Sequence, residues 1–169
     1  MSTTFILIFQ FAILAYAILA GVFLAFSDFI MRSLALTDGR SGIESMQVIN
    51  REVFRWVFMV LFIGLAPVSL VVAVFGAVVI GQGPGTVIML AGLAYIFGCF
   101  GVTVCFNVPM NKALAGMDFA TTTTRDYWLL SYVPCWTFWN TVRTVACAAS
   151  AALLLIGLIW TIRSDWLFL

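Results

Sequence analysis

The chain contains no histidine, and only 9 % of its 169 residues are charged, against roughly a quarter in an ordinary soluble domain. Without histidine, the usual haem ligand and the two-histidine iron site are both missing. Cysteine offers little in their place. Cys99, Cys105, Cys135 and Cys147 show no C-x-x-C spacing, so a zinc site and a disulfide framework are both unexpected. Net charge is +1 and no basic cluster is present, which leaves binding to nucleic acid or to polybasic-specific headgroups without support. There is no internal repeat, and the one biased tract is "TTTT" at 121–124. These absences predict a protein without a bound metal, a cofactor or a nucleic-acid partner.

What is abundant is apolar surface: 64 % of the residues are hydrophobic, more than a water-soluble fold of this size could hide. Four runs, 5–27, 54–80, 86–106 and 137–162, reach the about 20 residues that a bilayer crossing needs. They lack the strict alternation of barrel strands. The first run follows "MSTT", which has no lysine or arginine, and is longer than the apolar part of a cleaved signal, so it is expected to be retained. The predicted fold is all-α: a four-transmembrane-helix bundle, up-down-up-down, with residues 1–169 forming one integral membrane domain in the lipid bilayer. Arg32, Arg40, Arg51, Arg55, Lys112 and Arg125 fall on one side, with Arg143 at its edge, and Arg163 on the other. The positive-inside bias then places the two longer loops, which carry short helices, in the cytoplasm and both termini outside. The expected location is the plasma membrane, the inner membrane if the source is bacterial.

Local signals fill in this outline. "GQGPG" at 81–85 predicts a tight turn that makes the second and third spans antiparallel neighbours. Small residues at four-residue spacing, Ala17, Gly21 and Ala25, Ala73 and Ala77, Ala94 and Gly98, and Ala148 and Ala152, are expected to be helix-packing faces. Pro67 should kink the second span. Thr124, with Asp126 after it, reads as the cap of a short helix over about 125–132 that ends near Pro134.

The polar residues gather at one depth. In a helix Trp136, Asn140 and Arg143 fall at i, i+4 and i+7 on one stripe, which Cys147 and Ser150 continue. Arg143 is 17 residues from Trp160, a plausible outer anchor, which is about 26 Å of helix, so it should sit just inside the cytoplasmic boundary. Ser27 and Asp28 end the first span, Gln47, Asn50, Arg51 and Glu52 lead into the second, and Asn107 and Asn111 close the third. An ionisable group at membrane depth with amide neighbours points to a site. Plain readings stand beside it: Asp28 with Arg32 and Glu52 with Arg55 as surface pairs, Asn107 as a helix end. Trp56, Trp128, Trp136, Trp139, Tyr127 and Tyr132 crowd the same end, as an interfacial belt or as the wall of a pocket for a flat lipophile.

"GVFLAFSDFIMRSLA" at 21–35, "GIESMQVINREVF" at 42–54, "NVPMNKALA" at 107–115 and "WTFWNTVRTVACAASAALLL" at 136–155 together resemble the anthrone-oxygenase-like family of small four-helix membrane proteins. The resemblance covers most of the chain. It implies cofactor-independent oxidation, by molecular oxygen, of a lipophilic anthrone- or hydroquinone-like compound. In that reading Asp28 would be the base, and Arg143, Asn140 and Asn107 would hold the enolate or peroxide oxygen. Trp136 would stack on the rings, and Asn111, Gln47 and Asn50 would complete the binding set. Two other readings remain open: a non-catalytic accessory subunit of a larger membrane assembly, and a binder of a quinone-like lipophile; membrane-protein partners or a homo-oligomer stay open with them.

Overall fold

The computed structural model describes residues 3–55 and 57–166; Trp56, counted above among the aromatics, lies outside the described residues. The chain is all-helical there. We number the helices α1 (Thr3–Leu36), α2 (Gly39–Glu52), α3 (Val57–Ile80), α4 (Pro84–Ala115) and α5 (Thr122–Ser164). All but α2 are long and apolar enough to cross a membrane. Each of these four lies antiparallel to the next in sequence, and α5 returns to pack along α1, so the bundle closes as the ring α1–α3–α4–α5.

Length explains what lies outside the ring. The 24 residues of α3 span about 36 Å, close to the roughly 30 Å of a hydrocarbon core. The 34 of α1, 32 of α4 and 43 of α5 run well past it. Their surplus turns form a cap at one end, and α2 lies across them. Met31, Ile43, Met46, Leu114, Trp128 and Tyr132 make its core and are almost fully buried. Asp38 starts α2 by accepting from the Ser41 amide (3.0 Å), and that hydrogen bonding lowers its pKa.

Two prolines that should break helices do not. α4 runs through Pro109 and α5 through Pro134, and in both the preceding turn is π-helical: Thr103–Asn107 before Val108-Pro109, and Trp128–Tyr132 before Val133-Pro134. A proline removes one amide donor and crowds the carbonyl four residues back. A widened turn, in which Val108 bonds to the Thr103 carbonyl and Val133 to that of Trp128, makes room for both. The separate helix expected to end near Pro134 is therefore the first part of α5. Its cap is Thr121, whose hydroxyl accepts from the Thr124 amide (3.3 Å), three residues before the cap read from the sequence. α3 likewise continues through Pro67.

Bundle packing uses some of the expected small residues, with Ala73 buried against Gly92 and Gly98 set against Ala146, but not others. Ala17, Gly21, Ala148 and Ala152 face outward, because acyl chains are as apolar as a neighbouring helix and a small residue is tolerated on either face. Among the spanning helices α3 and α4 approach most closely, and there a Cβ on Gly85 would meet the Gly76 carbonyl and one on Gly76 would meet the Gly85 carbonyl. The turn between them has Gly81 and Gly83 at φ 77° and 76°, a conformation open to glycine. Deeper in the bundle Tyr16 hydrogen-bonds Ser69 (2.6 Å) and Tyr95 donates to the Phe62 carbonyl (2.6 Å), so each mid-membrane hydroxyl has a partner.

Gly85→Ala should cost about 1–3 kcal/mol, since neither backbone can yield, whereas Gly21→Ala, with open space around it, should stay within about 0.5 kcal/mol. Thermal unfolding of the two variants in one detergent checks the contrast; equal losses would contradict it.

Candidate functional site

Beneath the cap, between all four spanning helices, lies a cavity of about 360 Å³, inside the ~300–1,000 Å³ of small-molecule sites. Its walls are aromatic and aliphatic: Phe23 and Phe26 from α1, Phe58 and Phe62 from α3, Phe100 from α4, with Trp136 from α5. Phe62 stacks on Phe100 (centroids 5.5 Å) and Phe26 packs on Trp136 (5.8 Å). The polar lining is short: Asn50, Thr103, Asn111, Asn140 and Arg143.

Arg143 is 6 % exposed. Its Nη2 donates to Asn140 Oδ1 (2.5 Å) and its Nη1 to Thr103 Oγ1 (3.3 Å). The guanidinium lies over the rings of Phe23 (4.4 Å) and Trp136 (5.2 Å), contacts that favour a cation. No carboxylate pairs with it among the described residues, and its buried Nε has no partner. A guanidinium carries five N–H donors, so most of its capacity is unspent and its charge is not neutralised by the protein.

Asn140 holds the cation in place. Its Nδ2 donates to the Phe23 carbonyl (2.6 Å) and to Ser27 Oγ (2.7 Å) of α1, which turns Oδ1 toward Arg143. Closer to the cap, Asn111 Oδ1 accepts from both Tyr132 (2.9 Å) and the Trp136 indole (2.8 Å), while Asn50 Nδ2 donates to the Tyr132 hydroxyl (3.3 Å). Trp128, Tyr132 and Trp136 form a stack with centroids 5.2 and 6.3 Å apart. These three aromatics are buried, not spread along an interface.

Five of the residues proposed from sequence therefore meet around one cavity: Asn50, Asn111, Trp136, Asn140 and Arg143. Three do not line it. Asp28, expected to be the base, is exposed. It follows Ser27 on the π-helical turn Phe26–Ile30; since Ser27 points at Asn140, the next side chain is rotated roughly a quarter turn away. Gln47 clamps the end of α4, donating to the carbonyls of Leu114 (2.8 Å) and Met117 (3.0 Å). Asn107 is buried between α4 and α5 with Nδ2 on the Trp136 carbonyl (3.3 Å) and Oδ1 unpartnered. Glu52 pairs with Arg55 (2.9 Å) on the surface.

The sequence pattern of the anthrone oxygenase family matches residues 54–153, more than half of the chain. This protein belongs to the anthrone oxygenase family. The matched stretch takes in Thr103, Asn111, Trp136, Asn140 and Arg143 but not α1 or α2. No curated protein and no solved structure matches the chain.

Within this anthrone oxygenase family member, the residues that sequence reasoning missed are Thr103 and the phenylalanine walls. Thr103 is four residues before Asn107, but it reaches Arg143 only because the π-helical turns over Ala94–Gly101 and Thr103–Asn107 shift the phase of α4. The phenylalanines look like any lipid-facing residue in a chain with 16 of them.

Asn140→Leu should destabilise the bundle by roughly 1–3 kcal/mol, the cost of leaving buried polar groups unsatisfied. Denaturant unfolding in micelles measures it, and a change within about 0.5 kcal/mol, typical of a surface site, would show that the network does not hold α1 to α5.

Proposed function

We propose that the cavity binds a flat, lipophilic anthrone- or hydroquinone-like compound as its oxyanion, and that the protein oxidises it with molecular oxygen. The observation that carries this is Arg143: a buried cation without a carboxylate, facing an aromatic cavity of the right size. A cation at such a site is complementary to a single negative oxygen on an otherwise apolar ligand. Rings fit between Trp136, Phe26 and Phe100, and the oxygen meets the free guanidinium donors.

The chemistry asks little else of the protein. An anthrone enolate is electron-rich at the ring methylene carbon, and bonding of that carbon to oxygen forms a carbon-bound peroxide anion, which regains from water the proton lost on ionisation to become the hydroperoxide. Loss of water then leaves a carbonyl. Overall one methylene and one dioxygen give one carbonyl and one water, the carbon losing four electrons and the oxygen gaining them. Arg143 stabilises the enolate and then the peroxide oxygen, while Asn140 and Thr103 orient the guanidinium. Among the described residues the lining holds no carboxylate, tyrosine hydroxyl or thiol, and the hydroxyl of nearby Tyr132 is spent on Asn111. The ligand accordingly binds already ionised, having given its proton to water at the headgroup level.

That same lack of a proton acceptor favours a second reading, a non-catalytic binder of the same kind of anion. In both, the whole chain is one integral membrane domain of the plasma membrane. The basic residues at the capped end argue for a cytoplasmic cap and external termini.

Purified protein in lipid nanodiscs, supplied with anthrone, decides between them. Catalysis predicts oxygen uptake equal to the carbonyl formed; binding without uptake selects the binder. Arg143→Met should weaken binding by about 10–100-fold, a loss of roughly 1.4–2.8 kcal/mol, while the melting temperature holds or rises because a buried unpaired charge is removed. Wild-type affinity should also tighten as pH rises toward the ionisation of the ligand. A variant that unfolds, beside a wild type that binds nothing, would sink both readings.

A further inference from the structure

Helix α2 covers the cavity on its aqueous side. Met46, Ile49 and Asn50 of α2 lie across it, and behind them the cap core of Met31, Ile43, Leu114 and Trp128 is almost fully buried. Toward mid-membrane it ends at the Phe62–Phe100 stack, backed by Tyr95 (6.4 Å from Phe62). On the α1 side Phe23 meets Phe58 edge-on at 5.8 Å. The side between α3 and α4 is different. These helices touch along the outer part of α4, but their contacts fall away beyond Gly101. There Phe54, Ile63 and Val104, the three most exposed lining residues, are 65, 54 and 52 % exposed. All three are apolar: Phe54 lies in the turn leading into α3, Ile63 in the second turn of α3 and Val104 on α4.

We propose that the cavity is filled from the bilayer through a portal between α3 and α4 framed by Phe54, Ile63 and Val104, so that its substrate class is a membrane-dissolved lipophile. The ligand chemistry rests on the reading above; the portal stands on the walls of the cavity. Its position suits an amphiphile. Rings that partition among acyl chains slide past apolar posts with no polar group to desolvate, and the oxygen end, held near the headgroups, is carried inward to Arg143. The cover of α2 on the aqueous side also shields the reacting anion from bulk water.

The test uses the whole protein in phosphatidylcholine nanodiscs doped with a phosphatidylcholine that carries an acyl-chain diazirine. After irradiation, labelled residues are mapped by mass spectrometry. The portal predicts label on the inward Phe62 and Phe100 as well as on the outward Val60 and Leu70. Val104→Trp should cut the inward label roughly fivefold or more by filling the gap with a large rigid ring, leaving the outward label unchanged; Ile63→Trp serves if the first variant does not fold. Inward label at background in the wild type, or unaffected by either tryptophan, overturns the portal. Anthrone then separates the two claims. Inward label that anthrone displaces supports portal and ligand together, and label that anthrone never displaces supports the portal while sinking the anthrone reading. Arg143-dependent anthrone binding without inward label sinks the portal alone.

Discussion

A guanidinium buried in a membrane bundle, with no carboxylate beside it among the described residues, constrains everything around it. Removing such a charge from water is expensive even after relaxation, so each neighbour of Arg143 has to offset part of that cost. Asn140 and Thr103 each accept one hydrogen bond, and Phe23 and Trp136 present their ring faces. To do so, Asn140 must itself be fixed, and it is fixed on the Phe23 carbonyl and Ser27 of α1. One charge on α5 thus dictates how α1, α4 and α5 meet. The buried Nε that remains free shows that the protein stops short of satisfying it completely.

The backbone that permits this meeting is irregular. π-helical turns at Phe26–Ile30, Thr103–Asn107 and Trp128–Tyr132 lie on α1, α4 and α5, the three helices that surround the polar residues. A π turn inserts a residue without ending a helix, which rotates everything beyond it and widens the local cylinder. Two of these turns are tied to Pro109 and Pro134, which need the extra room. The prolines therefore act through the turns before them: they phase Thr103 and Asn107 on α4, and Tyr132 and Trp136 on α5, toward the same interior.

What could be read from sequence followed the same division. Trp136, Asn140 and Arg143 share a helix, so an ordinary period of 3.6 residues was enough to put them on one face and to suggest that the face is internal. Relationships between helices were not legible. Nothing in "FSDF" at 26–29 says that Ser27 rather than Asp28 turns inward, because that depends on the π turn. Gln47 looked like part of a polar shelf, but its amide serves the carbonyls at the end of α4, a need visible only once α2 is laid across it. Composition predicted four apolar spans but not the direction of the small-residue stripes at Ala17 and Ala148, since in lipid both faces of a helix are apolar. The cavity, being a gap between helices, left no trace in any one of them.

Cation, aromatic walls and lateral opening together define a division of labour between protein and ligand. In an aqueous pocket a general base would normally generate the anion, and its pKa would have to be tuned to do so. Under the proposed oxidation the lining would provide only the half of the reaction that bulk water cannot, a fixed positive dipole and charge in a medium of low dielectric, where it acts most strongly. In the proposed reading, ionisation belongs to the headgroup region, concentration of the rings belongs to the acyl chains, and the protein is needed where the two meet. In that reading the membrane supplies the solvation gradient, and a single arginine held by an asparagine and a threonine supplies the rest.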